Sequence, residues 1–515
     1  MATTQLLLQQ LLLTSAQRWP DRLALVCGKA RLSYAEIVQR ASSLARSLQA
    51  AGVARGERVL VYAHNSVDAV VAFWGVLMAD AVVCPVHPGT PAAKLAWYLA
   101  DTRATGLICD ESLLTNVIEA ATGASHLRSV TLSADEYPPE ASNLPGGRLF
   151  PKAQIGPCVP PITLNQQGDL AAILYTSGST GVPKGVMLSH GNMLAAADAI
   201  QSYLGYRQDD KVLAALPMSF DYGLYQIILA FAAGASVLLE RSFGLVQQVL
   251  VHIARERVTV FPGMPTVFAL LFQIKHWAGL DLSAVRLVTS TGAPLEHARI
   301  LWLREVFAAA EIYSMYGLTE CKRCTYLPPA DIDRKPGSVG IAMPGLRMWV
   351  VDARGHQLPV GEVGELVVQG PTVMQGYWGD ARASAERLKP GAEGIVLHTG
   401  DLCRLDAEGY LYIVGRMDDM IIKSRGERVA PREIEIALLG VAGVRDACVV
   451  GIPDDVQGQA IKAIVVLCEG ADLDELALRT ALRNRIDQRL IPSIVEFRDV
   501  LPLGPTGKVD RTRLG

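Results

Sequence analysis

The chain has little charge, and what it has nearly cancels. Only 19% of its 515 residues are Asp, Glu, Lys or Arg, and the formal net charge is −3. That leaves no electrostatic footprint for nucleic acid. Half of the residues are hydrophobic, which excludes a disordered chain. No apolar run reaches the length of a membrane span. Near the N-terminus Leu6, Leu7, Leu8, Leu11, Leu12 and Leu13 have no basic region before them and no small-residue cleavage site after them. This argues against a secretory signal and for an amphipathic helix packed on the core. The nine cysteines are scattered and odd in number, which excludes a disulfide framework and suits a reducing, cytoplasmic setting. There is no internal repeat, no low-complexity tract and no Walker P-loop spacing.

What is present centres on Tyr175-Thr176-Ser177-Gly178-Ser179-Thr180-Gly181-Val182-Pro183-Lys184-Gly185. An apolar run at 171–174 precedes it and reads as a buried strand. Hydroxyls and free backbone N–H groups suit a polyphosphate, and glycines let the backbone come close to it. Lys184 adds a mobile point charge for phosphate oxygens. A plain Ser/Gly surface turn is the competing reading, but strand, hydroxyls, glycine spacing and lysine occur together.

The length asks for roughly two to four units. Strand-like runs at 58–63, 81–86 and 106–109 alternate with helical spacing at 33–51 and 67–78, which predicts parallel sheet with covering helices. Residues 137–161 are rich in Pro and Gly and read as a surface connection. The α/β rhythm resumes with strands at 212–216, 236–239, 258–261, 286–289 and 311–315. From 337 to 415 short β-rich runs separated by glycine turns suggest a small β-barrel. The chain turns charged near Gly415, and about 100 residues of a plausible small domain follow. The division predicted is 1–417 and 418–515.

Further motifs carry chemistry. Ser290-Thr291-Gly292-Ala293-Pro294 sits at a strand end, where α/β sheets bind ligands, although Gly-Ala-Pro also makes an ordinary turn. Tyr316-Gly317-Leu318-Thr319-Glu320 offers an aromatic for stacking, a hydroxyl and a carboxylate suited to Mg²⁺. Thr399-Gly400-Asp401 puts a carboxylate on a turn, as a ribose contact or as an Asx-turn. Lys508, in Gly504-Pro505-Thr506-Gly507-Lys508, would in isolation be a solvated tail. Cys321-x-x-Cys324 has no second pair to make a metal or redox site, and His190 reads as structural.

Together these motifs resemble, in order and from about Leu12 to Lys508, those of the adenylate-forming enzymes: acyl-CoA synthetases, peptide-synthetase adenylation domains and luciferases. The resemblance implies a large α/β domain of two doubly wound subdomains with a β-barrel, and a mobile α+β C-terminal lid. It implies activation of a carboxylic acid by ATP to an acyl-adenylate, then transfer to the thiol of CoA or of a carrier protein. By the same likeness Thr176 and Glu320 hold Mg²⁺ and the 176–184 loop with Lys184 takes the phosphates. Gly292, Ala293, Pro294 and Gly317 line the nucleotide, Tyr316 stacks on adenine and Thr319 contacts the α-phosphate. Asp401 and Arg416 reach the ribose, Asp418 is the hinge, and Lys508 orients the reacting carboxylate and α-phosphate. One departure stands out: nine residues separate Arg416 from Gly426 where eight are expected, with the extra one in Met420-Ile421-Ile422. A nucleotide-binding relative without turnover, and a kinase yielding ADP rather than AMP, are the competing classes.

The acid-binding segment resembles Pro217 to Leu224. Phe220-Asp221 matches the peptide-synthetase pattern, in which the aspartate pairs with a substrate ammonium. Tyr222, Tyr225, Thr291 and Met315 would complete a medium-sized pocket. This predicts an amino acid or amino-bearing acid loaded on a carrier protein, with a plain acid joined to CoA as the alternative. Asp221 could instead cap a backbone N–H or pair with Lys322 or Arg323.

Overall fold

The computed structural model describes residues 6–514, apart from 151–158, 177–182, 273, 275–278, 293, 294, 296, 418, 423–427, 455–457, 484, 487–489 and 505–508. The chain forms two compact units. The first comprises Met1–Pro336, Ala342–Arg347 and Gln369–Leu397; the second comprises Gly337–Ile341, Met348–Val368 and His398–Gly515.

The first unit holds two sheets. One has eight strands in the spatial order Gly376–Tyr377, Lys184–Ser189, Leu170–Thr176, Val82–Val86, Arg58–Tyr62, Gly106–Asp110, Ser129–Ser133 and Arg148–Leu149. Its middle is parallel, so each connection must cross over a face and bury it. Leu60, Cys84, Leu107 and Val130 are fully buried as a result. Two of the helices begin where a short hydroxyl side chain caps them. Ser33 Oγ accepts from the Glu36 N–H while the Glu36 carboxylate accepts from the Ser33 N–H, closing a capping box at the start of Tyr34–Ala50. Ser66 Oγ accepts from the Ala69 N–H and caps Val67–Met78, without a reciprocal partner.

The second sheet of this unit places Thr325–Leu327, Glu311–Tyr316, Leu287–Ser290, Val260–Gly263, Lys211–Ala214, Ser236–Leu239, Leu23–Cys27 and Ala30–Ser33 side by side. Six neighbouring strands, Glu311–Tyr316 to Leu23–Cys27, are mutually parallel. The N-terminal leucines form the expected packed helix, Gln9–Arg18. Leu8 and Leu12 are fully buried, and the Ser15 hydroxyl donates to the Phe231 carbonyl at 2.6 Å.

The stretch 137–161 is more than a surface connection. Its Arg148–Leu149 pair adds an edge strand parallel to Ser129–Ser133. Ala141 and Phe150 are buried, and the Tyr137 hydroxyl ties the segment to the Ala141 carbonyl. Proline and glycine density marked the turns but hid the two residues that pair.

In the second unit one sheet is built mainly from Arg347–Val351, Gly364–Gln369, Gly394–Leu405 and Leu411–Arg416. A separate layer has Val444–Asp454 antiparallel to Gly458–Leu467, which in turn lies parallel to Ile494–Phe497. Helices Pro431–Leu439 and Glu475–Arg483 bury Ile434, Leu438, Leu478 and Leu482 in that layer's core. The spacing of four within each pair is one helical face. Among the described residues no helix is long and apolar enough to cross a membrane.

Candidate active site

The hydroxyl-rich loop closes a hairpin. Leu170–Thr176 and Lys184–Ser189 are antiparallel, with Thr176 directly opposite Lys184 and Tyr175 opposite Gly185. Ser177, Gly178, Ser179 and Thr180 lie outside the described residues, but the two ends of their loop are held as one residue pair. Gly185 has no room for a side chain: a Cβ there would meet Ile173 Cγ2 at 2.9 Å and the Tyr175 ring at 3.2 Å. The Tyr175 hydroxyl in turn donates to the Asp101 carboxylate.

The stretch around Glu320 is a tight reversal after the Glu311–Tyr316 strand. The Cys324 N–H donates back to the Tyr316 carbonyl at 2.8 Å, and Thr325 pairs with Tyr316. The two arms of the reversal pass so close that a Cβ on Gly317 would sit 2.3 Å from the Lys322 carbonyl oxygen. Lys322 itself adopts φ +68, the left-handed region that a non-glycine residue enters only under local constraint. The reversal leaves Tyr316, Thr319 and Glu320 half-buried and drives Cys321 to Cys324 inside.

A residue that sequence reasoning missed joins these two parts. Tyr377 lies on the short strand paired with Lys184–Ser189. Its hydroxyl donates to Glu320 Oε1 at 2.8 Å, and its ring lies 5.2 Å from Lys184 Nζ. The Glu320 carbonyl also accepts from the Met374 N–H at 2.7 Å. The phosphate-loop lysine and the candidate metal carboxylate therefore share one aromatic support. No local pattern announces Tyr377, since its role comes from a strand pairing nearly 200 positions away along the chain.

Ser290 ends the Leu287–Ser290 strand with its hydroxyl buried and without a hydrogen-bond partner among the described residues. Thr291 is buried beside it, and Gly292 takes φ +90. Ala293 and Pro294 lie outside the described residues.

The acid segment turns from Pro217 into the helix Asp221–Ala233, with the Phe220 N–H donating to the Pro217 carbonyl. Gly223 is needed where the helix start presses on the preceding strand end: a Cβ there would lie 2.3 Å from the Pro217 carbonyl oxygen. Phe220 is half-buried. Tyr222 hydrogen-bonds Thr289 Oγ1 at 2.6 Å, and the Tyr225 hydroxyl donates to the Met193 carbonyl at 3.0 Å. Met315 is buried, with its sulfur 3.2 Å from the Tyr203 hydroxyl.

Asp221 does not cap its own helix. Lys322 Nζ donates to Asp221 Oδ1 at 2.6 Å, and Arg323 Nη1 lies 3.5 Å from Oδ2. Of the partners the sequence offered, the structure selects the two cations of the Glu320 reversal. This is the pairing the sequence offered as the alternative to ammonium binding, and in it the carboxylate already meets positive charge. Burial pulls the Lys322 amine below its usual range, and the Asp221 charge opposes that pull.

In the second unit Asp401 and Arg416 face each other across antiparallel strands, with Arg416 Nη1 3.2 Å from Asp401 Oδ1. The Asx-turn alternative is not what forms; Asp401 lies within a long strand. Gly400 has φ +73 and its N–H donates to Glu365 Oε1 at 3.0 Å, while His398 Nδ1 lies 2.8 Å from Glu365 Oε2. Glu365 is the second residue the sequence did not single out. Asp418 and Lys508 lie outside the described residues. On either side of Lys508 the chain is pinned by a bridge between Leu503 and Val509.

The two remaining sequence candidates are structural. His190 is buried, with Nδ1 accepting from the Leu8 N–H at 3.3 Å and burial drawing its pKa down to about 4. Cys321 and Cys324 are free buried thiols with sulfurs 3.0 Å apart. Among the described residues no three metal-ligating side chains converge.

Comparison with known proteins agrees along the whole chain. The AMP-binding enzyme family matches residues 12–378, and the AMP-binding enzyme C-terminal domain matches residues 433–508. A feruloyl-CoA synthase from an Amycolatopsis species is 33% identical over 500 residues, covering 96% of this chain and 95% of that one. An L-proline–[L-prolyl-carrier protein] ligase from Pseudomonas fluorescens is 32% identical over 513 residues, covering 99% and 98%. The crystal structure of ATP-bound MatB from Rhodopseudomonas palustris has a TM-score of 0.85 at 29% identity, covering 98% of each chain. The protein belongs to the AMP-binding, adenylate-forming enzyme family.

Proposed function

We propose that the protein activates a carboxylic acid with ATP and passes the acyl group to the thiol of CoA or of a carrier protein. The observation that carries the site is the Lys184–Tyr377–Glu320 cluster, which brings a phosphate-type cation and a metal-type carboxylate onto one support. A carboxylate is a poor acyl donor because its leaving group would be oxide. Attack of its oxygen on the α-phosphorus of ATP breaks the bond to pyrophosphate and leaves a mixed anhydride. A thiolate then attacks the acyl carbon, and AMP departs with the electron pair of the anhydride bond.

Each residue has a role in that sequence. Lys184, with the 176–180 hydroxyls, takes phosphate oxygens; Thr319 contacts the α-phosphate; Tyr316 stacks on adenine; Gly317, Gly292, Ala293 and Pro294 line the nucleotide. The ribose role falls to Asp401 and Arg416. Lys508 steadies the charge that grows on the reacting carboxylate and α-phosphate. Glu320 fits Mg²⁺ as a half-buried hard-oxygen donor oriented by a neutral hydroxyl, and the Thr176 hydroxyl would be the second ligand. When bound there, the ion would neutralise charge developing on the phosphates.

The division 1–417 and 418–515, with Asp418 as hinge, belongs to this proposal: rotation would withdraw Lys508 between the half-reactions. A cytoplasmic setting does too, supported by the free state of every described cysteine. The pairing of Asp221 within the protein supports a plain acid over an amino-bearing one as the substrate. The deciding experiment is acid-dependent exchange of labelled pyrophosphate into ATP over a panel of carboxylic and amino acids. Exchange with plain acids, followed by AMP and thioester on adding thiol, is expected. ADP as the nucleotide product would overturn the assignment.

A further inference from the structure

The charges beneath the acid segment do not balance. Lys322 and Asp221 form one pair at 2.6 Å, with side chains that are 0% and 6% exposed. That pair is neutral overall whether its proton sits on nitrogen or on oxygen. Arg323 is left over. Its guanidinium is a cation, it is 3% exposed, and among the described residues its nearest carboxylate oxygen is 3.5 Å away, at the limit of a hydrogen bond. Nη1 divides itself between that oxygen and the Lys322 carbonyl at 3.4 Å. Nε is buried with no hydrogen-bond partner among the described residues. The guanidinium carbon lies 4.7 Å from the centre of the Tyr222 ring, which offers quadrupole attraction but no counter-charge.

A buried guanidinium with one unmade hydrogen bond and, among the described residues, no carboxylate other than the one Lys322 already holds is costly, so such an arrangement persists where a ligand completes it. Its position fits a ligand. Arg323 follows the Glu311–Tyr316 strand and Asp221 follows Lys211–Ala214, both at the carboxyl-end side of the parallel sheet where α/β folds bind small molecules. The reacting carboxylate is accounted for at the α-phosphate, so the charge answered by Arg323 is a different one.

We infer that the substrate is an acid carrying a second anionic group, and that Arg323 is the residue that selects it. This rests on the adenylation reading of the same site. Carboxylate, sulfonate and phosphate share the chemistry that a guanidinium recognises, and the same positive charge works against an ammonium-bearing acid.

The test is pyrophosphate exchange with matched sets of straight-chain acids of short, medium and long length: the ω-carboxylate, ω-sulfonate and ω-phosphate, the neutral ω-methyl acid and the ω-amino acid. Wild type should use an ω-anionic acid at least about tenfold better in kcat/KM than its neutral partner, and the ω-amino acid worst. Arg323→Met should collapse the anionic-to-neutral ratio toward one, with Arg323→Lys in between. Thermal unfolding separates selection from support. The apo Arg323→Met protein should melt no lower than wild type while losing the rise in Tm that the preferred acid gives wild type. Equal use of neutral and anionic acids by wild type, an unchanged ratio in Arg323→Met, or a large fall in its apo Tm would overturn the inference alone. Exchange with no acid of any class would overturn the adenylation reading beneath it.

Discussion

Glu320 and Asp221 are two carboxylates of the same unit, and their surroundings treat them in opposite ways. Glu320 is half-buried at a turn and accepts one hydrogen bond from a neutral phenol. Asp221 is 6% exposed and meets two cations. The first meets an uncharged partner, as the proposed Mg²⁺ role requires. The second has spent its charge on the protein. Both stood in the sequence as candidate ligands, each beside a recognisable motif, and the residue types alone do not separate them. The partner does: a hydroxyl orients a carboxylate without neutralising it, whereas a buried ammonium at 2.6 Å removes it from ligand chemistry.

The largest test of that contrast is Asp221→Asn. It strips the counter-charge from the buried Lys322 and leaves two cations side by side, and should destabilise the first unit by about 3–5 kcal/mol, read from denaturant unfolding. A variant as stable as wild type would mean that Asp221 is not the internal partner it looks to be. Glu320→Gln should do the reverse, leaving unfolding almost unmoved while pyrophosphate exchange falls by about 10²–10³-fold, as when a group that steadies transition-state charge is removed. Loss of stability without loss of exchange would reverse the roles drawn here.

His190 sharpens the comparison with a buried group that has no strong partner. Burial holds its pKa at about 4, below the ordinary 6.5, with the charges of Asp80 and Asp169 opposing. Below pH 6.5 the unfolded chain therefore binds the extra proton first. The stability contribution is complete above that pH and is lost as pH falls toward 4, on the order of 3 kcal/mol. His190→Asn should flatten the pH dependence of unfolding between those values; an unchanged slope would assign the acid sensitivity to other groups. Tyr377→Phe has the smallest expected effect. It deletes one hydrogen bond to Glu320, so exchange should fall by roughly tenfold, about 1.5 kcal/mol, with the ring and the fold retained. No change would show that Glu320 is oriented by other contacts.

How much was legible follows from the range of the forces involved. The parallel strands of the first unit were readable because β-branched and leucine runs buried on two faces leave a continuous apolar pattern. The helices announced themselves through their spacing at 33–51 and 67–78, and the caps that start them, Ser33 with Glu36 and Ser66, act within one turn. The Gly317 position was legible as a motif, although its reason, a passing backbone 2.3 Å from any added Cβ, was not. Arg148–Leu149 was missed because two paired residues among glycines carry no period. Tyr377 and Glu365 were missed because neither lies in a pattern of its own; each works by touching a motif from another strand.

By itself, the sequence determined the chemistry on offer: a phosphate-type loop, a metal-type carboxylate, a lysine near the chain end and the α/β frame that carries them. These are properties of short segments, written in spacing and residue type. Only the tertiary structure decided which charges meet. Asp221 and Lys322 are 101 positions apart, and local periodicity cannot say whether a carboxylate faces a ligand or a lysine. That choice is made by the tight reversal after Tyr316, which brings Lys322 and Arg323 inward. A buried charge must find a partner wherever the packing puts one, so the electrostatic balance of the acid site belongs to the fold.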